Sequence, residues 1–521
     1  MINLADILDE PVRAHPDKVA MRFKGRSFTY ACVKDRVERL AGALSARGVG
    51  KGDHVAVVSP NASACVEIVL ACARVGAVCE QYNVRLSPHA TARLLERSDA
   101  TIVFFAPGAY EAMRDSLDQV GRPLEIVALE GESFAGDSFE KGPFESGTLL
   151  YENMVAEADP FVGTVDIAPT DDAIMLYTSG TTGLPRGVLL SHEALLTRID
   201  VDTREMRFKP DDVLLCVLPL FHVTSVSTYV ALSVGAELVI AESHRACDIA
   251  ADIDRYGITR TGLVPYLLRE LVEYVARENI DLAGLEYIVY GGEPVSPELL
   301  KRCREVLDCG LMQGYGMTET ASAIVMLLPE HHACDRLLST VGKAVSGMEL
   351  KVIDDEGDEC ASGAPGEVMV KTKTLMSGYY RDPERTAEVV ADGWYCTGDI
   401  GFLDEEGYLS VIDRKSNMII TGGENVYPLE IADCIKSMGA EVLDVCVVGI
   451  PDERWGESPA AFVVCAEGSR ITAADIVAQC ARELGGYKKP SKVLFVDSLE
   501  RNASGKIPKM LREQLKQQAM K

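Results

Sequence analysis

The chain lacks the features with which proteins hold nucleic acid or membranes. Lysine and arginine number 52 against 79 aspartates and glutamates, which leaves a net charge of −27. So acidic a surface repels nucleic acid and anionic membranes, and neither is expected as a partner. Long apolar runs are also missing, because a stretch such as 213–221 is far too short for a membrane span. The first residues lack the basic start and apolar run of a signal peptide, so we expect no integral membrane segment.

Cysteine and histidine lack the spacing of a metal site. None of the fifteen cysteines forms a Cys-x-x-Cys pair, and most lie within apolar runs, as Cys72, Cys216 and Cys446 do. Their odd number also favours buried free thiols in a reducing cytoplasm. The eight histidines include the adjacent pair His331 and His332, which is awkward for a shared metal and more typical of a solvated loop.

What the sequence does contain is a regular alternation of helix and strand patterns. A helix pattern over 33–47 precedes a strand pattern over 54–58, a helix pattern over 64–75 and extended structure near Val78. This order is typical of a parallel, doubly wound sheet. Further strand patterns of the same kind occur at 213–218, 236–240, 261–264 and 287–290.

The pattern changes twice towards the C-terminus, and 521 residues are too many for a single core. Short strands and glycine turns after Ser339 indicate a small β-rich, β-barrel-like subdomain over about 340–412. A polar boundary at 413–416 precedes a segment with its own strands and helices. We predict an α/β fold in which a large N-terminal domain, 1–412, contains doubly wound sheets and the subdomain. A hinge at 413–416 and a small α+β C-terminal domain, 417–521, follow.

The most informative feature is a cluster of hydroxyls and glycines at 177–187, between two apolar strand patterns. Glycine allows backbone N–H groups to approach an anion closely, and hydroxyls add further donors. We therefore predict a phosphate-binding loop that joins two strands and captures its ligand with local donors. The loop residues predicted to contact phosphate are Thr178, Ser179, Gly180, Thr181, Thr182, Gly183 and Arg186.

Two other interpretations of this loop are weaker. A Walker A loop has four residues between its first glycine and a Gly-Lys-Ser/Thr triplet, but Pro185 stands five residues after Gly180 and the lysine is missing. A plain surface loop leaves the hydroxyls unexplained. The segment instead resembles the nucleotide-phosphate loop of the adenylate-forming enzymes, which include acyl-CoA synthetases, adenylation domains and beetle luciferases. That family usually has lysine where this chain has Arg186, which keeps the charge but presents a planar fork of donors.

Further segments resemble motifs of the same family, in the family's order, between residues 177 and 506. The segments 290–294 and 313–319 resemble two loops that enclose adenine, with a tyrosine ring for stacking; simple turns are the alternative. The resemblance assigns Asp399 to the ribose hydroxyls, places Arg414 near the same sugar and places His222 beside the acyl pocket. The residues implied around adenine are Gly292, Glu293, Pro294, Gly314, Tyr315, Gly316 and Thr318.

The resemblance also assigns charge-stabilising and thiol-binding roles. Glu319 would bind Mg²⁺, because a carboxylate beside phosphate oxygens requires a hard cation between them. Lys506 would offset charge as the substrate carboxylate attacks the α-phosphorus. Gly422, Gly423 and Glu424 resemble a loop that lines the pantetheine tunnel, where glycine lets the thiol arm pass close to the backbone.

These assignments imply an AMP-forming acyl-CoA synthetase with Lys506, Glu319 and His222 as its catalytic residues. ATP, Mg²⁺ and coenzyme A are the implied cofactors, and a small carboxylic acid is the implied substrate, as in fatty acid metabolism. Because Lys506 and Gly423 cannot occupy the active site together, the resemblance implies a mobile C-terminal domain. Ser416 stands where relatives commonly carry a hinge Asp or Lys. A cytoplasmic homodimer is the expected form.

Other functions remain open at this point. An adenylation enzyme that loads a separate carrier protein would share all these motifs. A degenerate ligand-binding relative is disfavoured by the intact acidic and basic residues, and luciferase-type oxidation is the most remote alternative. The segment 497–499 matches a carrier-domain motif only by coincidence, since no carrier-sized segment follows it. Four hydroxyls at 223–228 predict a partly polar acyl pocket and a short, medium or functionalised acid; the alternative is that they cap a helix.

Overall fold

The computed structural model describes residues 2–129, 144, 148–178, 185–421, 424–452, 454–484, 486, 488–501 and 507–520. It leaves out the side chains of Ser416, Glu424, Asn425 and Lys509. In chain order the strands are β1 Val19–Phe23, β2 Arg26–Thr29, β3 His54–Val58, β4 Val78–Gln81, β5 Ile102–Phe105, β6 Glu125–Ala128, β7 Leu149–Leu150, β8 Asp172–Thr178, β9 Arg186–Ser191, β10 Val213–Cys216, β11 Glu237–Ile240, β12 Arg260–Leu263, β13 Tyr287–Gly291, β14 Gly310–Met317, β15 Ser322–Leu327, β16 Lys343–Ala344, β17 Glu349–Ile353, β18 Gly366–Lys371, β19 Gly378–Tyr379, β20 Val390–Ala391, β21 Trp394–Leu403, β22 Leu409–Arg414, β23 Ile419–Thr421, β24 Glu424–Val426, β25 Val442–Asp452, β26 Gly456–Cys465 and β27 Lys492–Phe495.

Helices alternate with the strands through most of the chain. The α-helices are α1 Asp9–Ala14, α2 Tyr30–Ala46, α3 Ser63–Val75, α4 Pro88–Arg97, α5 Pro107–Leu117, α6 Tyr151–Glu157, α7 His192–Glu205, α8 Val226–Ser233, α9 Ala246–Tyr256, α10 Pro265–Glu278, α11 Pro297–Val306, α12 Pro383–Val389, α13 Pro428–Lys436, α14 Ala473–Leu484 and α15 Lys509–Met520. Short 3₁₀ helices lie at Leu4–Leu8, Val223–Ser225, Thr318–Thr320, Pro329–Ala333, Asp335–Ser339 and Lys415–Asn417.

Two large, mostly parallel sheets form the body of the described chain. One has the order β19-β9-β8-β4-β3-β5-β6-β7, and the other has the order β16-β15-β14-β13-β12-β10-β11-β1-β2. Within the second sheet, β14, β13, β12, β10, β11 and β1 run parallel, whereas β2, β15 and β16 are antiparallel additions at its edges. The α/β class with doubly wound sheets, predicted from the sequence, is confirmed.

Two smaller sheets follow the large ones along the chain. In the first, β17, β18, β21 and β20 pair in that order and β22 joins β21, all antiparallel. In the second, β25 and β26 form a long antiparallel pair, and β27 lies parallel to β26. A separate apolar core that includes Ile431, Val447 and Cys480 lies in this last part of the chain.

Local sequence explains why the elements begin and end where they do. Helix α2 follows Thr29, whose hydroxyl accepts the N–H of Cys32, as an N-cap residue does. Helix α3 ends at Gly76, which adopts φ +75° at no steric cost. Every residue of β3 is buried, as expected for a central strand of a parallel sheet. No helix among the described residues combines the length and apolar character that crossing a membrane requires.

Candidate active site

Three of the predicted site segments meet at one edge of the second large sheet. His222 follows β10, Gly292 follows β13, and Thr318 follows β14. Because these three strands lie in one parallel set, their carboxyl ends share an edge, which is where ligands bind in open α/β sheets. Gly291 of β13 is the direct partner of Gly314 of β14, so the two predicted adenine loops begin side by side.

Glycine is required in these loops for more than one reason. A Cβ atom at Gly316 would stand 2.1 Å from the carbonyl oxygen of Ser322, so close strand packing excludes a side chain there. Gly292 adopts φ +85°, a left-handed conformation that strains other residues. Its hypothetical Cβ meets only a Val264 methyl, at 4.0 Å, which leaves open space beside the loop.

The Asp399 carboxylate accepts contacts from two donor side chains on different strands. The Tyr315 hydroxyl donates to Oδ2 of Asp399 at 2.7 Å, and Nε of Arg414 lies 2.9 Å from Oδ1. Asp399 and Arg414 are direct cross-strand partners in β21 and β22. The Asp399 carboxylate raises the pKa of the Arg414 guanidinium, and burial raises the pKa of Tyr315, so the arginine stays charged and the hydroxyl keeps its proton. The structure thus brings the two residues assigned to ribose into contact with Tyr315, one of the residues assigned to adenine.

Glu319 is held by a tyrosine that sequence reasoning did not identify. The Tyr379 hydroxyl donates to Oε1 of Glu319 at 2.8 Å, and the backbone N–H of Met376 donates to the Glu319 carbonyl. Among the described residues, no group of three or more acidic, histidine or cysteine side chains could hold a metal by itself. A single carboxylate suits Mg²⁺, which typically binds through one or two carboxylates together with substrate phosphates and water. The donor set therefore fits a magnesium ion shared with a nucleotide.

The predicted phosphate loop joins two paired strands, as the sequence predicted. Thr178 ends β8, Arg186 begins β9, and the two residues are direct antiparallel partners. Nε of Arg186 lies 3.5 Å from Oδ2 of Asp382, and its guanidinium carbon is 5.9 Å from the ring centroid of Tyr379. The only residue of the loop with a charged side chain therefore lies near the tyrosine that holds Glu319.

His222 lies at the end of a turn that a distant asparagine fixes. Nδ2 of Asn61 donates to the carbonyl of Leu218 at 2.9 Å, and Oδ1 of Asn61 accepts the N–H of Leu220 at 2.8 Å. The half-buried imidazole of His222 packs edge-on against the ring of Phe221, with centroids 4.8 Å apart. Asn61, which follows β3, thus sets the path of the chain that leads to His222.

The helix after His222 uses two of the four hydroxyls for its own backbone. Ser227 donates to the carbonyl of Thr224 at 2.8 Å, and Thr228 donates to that of Ser225 at 2.6 Å. Thr224 is exposed. These contacts match the alternative that the hydroxyls serve the helix, and they weaken the expectation of a polar acyl pocket.

The expectation of a solvated loop at His331 and His332 is wrong for His332. This imidazole is only 3% exposed, and it contacts the Leu328 carbonyl through Nδ1 and the Tyr290 hydroxyl through Nε2, both at 2.9 Å. Burial lowers its pKa to about 4, so the ring is neutral at pH 7. Two adjacent polar residues indicate an exposed loop, and the sequence gives no sign that His332 packs beneath the end of β13.

Glu293 links the adenine loop to the C-terminal part of the chain. Its Oε1 accepts the N–H of Tyr266 at 3.3 Å, and its Oε2 lies 3.4 Å from Nη1 of Arg501. The same guanidinium also pairs with Asp444 of β25 at 2.7 Å. Pro294, the next predicted residue, is exposed beside it.

Part of the predicted site lies outside the described residues, and the assignments made there stay predictions. These residues are Ser179, Gly180, Thr181, Thr182, Gly183, Gly422, Gly423 and Lys506, together with the side chain of Glu424. The predicted hinge is described except for the side chain of Ser416. Its first two residues, Asp413 and Arg414, belong to β22, because Arg414 pairs with Asp399 and Asp413 accepts the N–H of Leu429 at 2.7 Å.

Tyr379 and Asn61 are the site residues that sequence reasoning missed. A polar residue in the loop after a buried parallel strand is a recognisable signal for Asn61, because such loops lie at the ligand edge of the sheet. Tyr379 gave no comparable signal, since its two-residue strand has no periodic pattern. Its partner Glu319 lies 60 residues earlier in the chain.

Two family models match the chain. The model described as AMP-binding enzyme matches residues 8–380, and the model described as AMP-binding enzyme C-terminal domain matches residues 430–506. Together they contain every predicted site residue except Asp399, Arg414 and the segment 422–424.

Individual proteins resemble the chain over nearly its full length. The fatty acid–[acyl-carrier-protein] ligase ScoC of Streptomyces coeruleorubidus is 36% identical over 502 residues, which cover 94% of this chain and 92% of that protein. The indoleacetate–CoA ligase of Aromatoleum aromaticum is 35% identical over 517 residues, covering 98% and 97%. ATP-bound MatB from Rhodopseudomonas palustris superposes with a TM-score of 0.87 at 29% identity, over 99% of each chain.

Proposed function

The chain belongs to the AMP-binding enzyme family, and we propose that it couples a small carboxylic acid to coenzyme A through an acyl-adenylate. It is an adenylate-forming enzyme of the acyl-CoA ligase type and uses ATP, Mg²⁺ and coenzyme A. The acid attacks the α-phosphorus of ATP, the bond to the bridging oxygen breaks, and pyrophosphate leaves. The thiolate of coenzyme A then attacks the acyl carbon, and AMP leaves.

One chain of contacts carries this proposal. Asp399 contacts Tyr315 on β14, Glu319 follows four residues later, Tyr379 joins Glu319, and the Arg186 guanidinium lies over the Tyr379 ring. The groups assigned to these residues are ribose, a phosphate-bound metal and phosphate, which all belong to one MgATP complex. Contacts between residues from separate strands therefore support a site for one nucleoside triphosphate.

The residues of the chain divide the work between binding and charge compensation. Asp399 accepts hydrogen bonds from the ribose hydroxyls, and Tyr315 stacks on the base. Arg186 and Lys506 offset negative charge where the carboxylate and the phosphate approach each other. Mg²⁺, when bound at Glu319, neutralises charge on the phosphate oxygens. His222, held by the turn that Asn61 fixes, borders the acyl group.

The proposal is tested by following the two half-reactions separately. Pyrophosphate release and CoA-ester formation are measured across a panel of carboxylic acids. Lys506→Ala should abolish adenylate formation and spare thioester formation from a supplied acyl-adenylate, because only the first step brings carboxylate and phosphate together. Gly423→Leu should do the converse, since a branched side chain obstructs the pantetheine arm and not ATP. An equal loss of both half-reactions in either variant contradicts the assignment.

Loading of a carrier protein is the second candidate function, and the 36% identity to an acyl-carrier-protein ligase favours it. The two candidates share the first half-reaction and differ in the thiol acceptor. With coenzyme A as the only thiol, a carrier-loading enzyme releases pyrophosphate and stops at the adenylate. Steady formation of CoA ester excludes carrier loading as the sole function.

Location and assembly are further parts of the proposal. All fifteen cysteines are free thiols, which supports a reducing compartment such as the cytoplasm. A homodimer and a division into 1–412, a hinge at 413–416 and 417–521 are also proposed. Sedimentation of the purified protein tests the homodimer, and limited proteolysis near the hinge tests the domain division.

A further inference from the structure

Tyr379 lies between two groups that the proposed function assigns to different parts of the nucleotide. Its hydroxyl donates to Oε1 of Glu319 at 2.8 Å, and its ring faces the Arg186 guanidinium at 5.9 Å. The side chain is only 8% exposed. One buried side chain therefore contacts the assigned metal ligand with its hydroxyl and the assigned phosphate ligand with its ring face.

The position of this tyrosine is fixed by backbone contacts. Tyr379 pairs with Val188 of β9, two residues after Arg186. Its N–H donates to the hydroxyl of Thr386 at 2.9 Å, which ties the short strand to helix α12. Because both sides of the residue are held, its hydroxyl has little freedom to leave the Glu319 carboxylate.

The direction of this contact follows from the two groups themselves. A phenol hydroxyl can donate and a carboxylate oxygen accepts, so the 2.8 Å contact is a hydrogen bond from Tyr379 to Oε1 of Glu319. A donor of this kind restricts Glu319 to one orientation and leaves Oε2 for another ligand.

We propose that Tyr379 is a positioning residue that orients the Glu319 carboxylate for Mg²⁺ and keeps it in register with Arg186 at the phosphate loop. The inference rests on the proposed function, since it takes Glu319 and Arg186 as nucleotide ligands. Residues that hydrogen-bond a metal ligand typically change metal affinity 10–100-fold when they are removed. The hydroxyl and the ring have separable effects, because phenylalanine keeps the ring and removes only the donor.

The neighbouring Tyr380 provides a matched control. Its hydroxyl donates to Oδ2 of Asp99 at 2.6 Å, near the surface and away from Glu319. Tyr379→Phe and Tyr380→Phe therefore each remove one hydroxyl bonded to a carboxylate, from adjacent residues. Only the first change touches the assigned metal ligand.

The test measures binding of a non-hydrolysable ATP analogue by calorimetry while Mg²⁺ is titrated, so that it does not depend on turnover. Tyr379→Phe should raise the Mg²⁺ concentration for half-maximal tight binding by about 10-fold or more. Binding without Mg²⁺ should change less than about 3-fold, and Tyr380→Phe should behave as the native protein. Thermal unfolding of each variant shows that the fold is retained.

Glu319→Gln separates failure of the inference from failure of the proposed function. If Glu319→Gln leaves the Mg²⁺ dependence unchanged, the metal assignment itself is wrong. If Glu319→Gln changes it and Tyr379→Phe does not, the positioning role is wrong while the metal assignment stands. In the Glu319→Gln background, Tyr379→Phe should have no further effect, whereas a merely structural role would weaken binding again. An additional loss there overturns the inference.

Discussion

The residues proposed to bind ligands in this chain depend on single side chains that hold them in place. Asn61 is the clearest case outside the nucleotide contacts. Its one amide group satisfies both a carbonyl and an N–H of the turn that ends at His222. Removing one half of such a pair leaves a partly buried backbone group without its partner, at a cost of about 1–3 kcal/mol.

Asn61→Asp should weaken binding of the carboxylic acid and leave ATP binding intact. The carboxylate can still accept the N–H of Leu220, but it has no donor for the carbonyl of Leu218, so the turn moves beside His222. We expect KM for the acid to rise by roughly 10-fold, which corresponds to about 1.4 kcal/mol, while KM for ATP changes less than about 2-fold. Steady-state kinetics with each substrate varied in turn provide the measurement.

Asn83→Asp serves as the control, because Oδ1 of Asn83 only accepts the exposed N–H of Arg85 and the change keeps that acceptor. Equal increases in both KM values for Asn61→Asp would indicate a general loss of structure. Unchanged values for both substrates would show that the turn does not border the acyl pocket.

Residues at this scale could be named from the sequence wherever a segment resembles a family motif. Glu319, Asp399 and Arg414 were assigned in this way, as carboxylates for a metal and for ribose and as a cation near the sugar. Their supporting partners could not be derived. The amide oxygen of Asn61 accepts a hydrogen bond from Leu220, which lies 159 residues later in the chain, and no local sequence pattern predicts such a contact.

At the scale of helices and strands, periodicity predicted the individual elements well. The predicted strand at 54–58 coincides with β3, and the predicted helices at 33–47 and 64–75 correspond to α2 and α3. The end of β22 could not be predicted, because its polar residues remain in the strand only through partners elsewhere. Sheet order was also inaccessible, since β19 joins the edge of β9 from almost 190 residues away.

One short element beneath the adenine loop makes stability depend on pH. His332, on the 3₁₀ helix Pro329–Ala333, supports the end of β13 through Tyr290. Burial lowers its pKa to about 4, with Leu328, His331, Arg304 and Glu330 as smaller and partly opposing influences. The unfolded value is about 6.5. Between these two values the unfolded chain binds a proton that the folded chain does not, so folding loses stability as the pH falls.

The contribution of His332 is therefore complete above pH ~6.5 and is lost as the pH falls towards about 4. We expect this one group to lower the unfolding free energy by roughly 2 kcal/mol between pH 7 and pH 5. Glutamine does not titrate in this range. Between pH 7 and pH 5 the unfolding free energy of His332→Gln should therefore fall by roughly 2 kcal/mol less than that of the native protein. Urea denaturation of both proteins at the two pH values provides the measurement. Identical pH dependence of the two would show that folding leaves the pKa of His332 unchanged.

On the scale of the whole molecule, a charged contact joins the C-terminal part to the predicted adenine loop. Arg501 bridges Asp444 of β25 and Glu293, and it stands five residues before Lys506 in the sequence. Asp444 belongs to the sheet of the C-terminal part, whereas Glu293 follows β13. Arg501 therefore holds the C-terminal part against the loop at Glu293, and we expect adenylate formation to use this arrangement. We expect the proposed second half-reaction to use a different arrangement, in which this pair is broken.

Arg501→Gln should consequently affect the two half-reactions differently. The Arg501 side chain is 31% exposed but that of Glu293 is only 6% exposed, so the change removes one partner of a buried carboxylate. Such a loss costs about 1–3 kcal/mol, and adenylate formation should slow by roughly 5- to 150-fold. Thioester formation from a supplied acyl-adenylate should be unchanged or faster, because the competing arrangement, which the Arg501–Glu293 pair stabilises, becomes less stable.

Glu293→Gln should give the same pattern, and combining it with Arg501→Gln should have little additional effect. Arg482→Gln is the control, since Arg482 is 68% exposed and pairs with Glu483 of its own helix. Rapid-quench measurement of each half-reaction tests the prediction, which equal slowing of both steps would contradict.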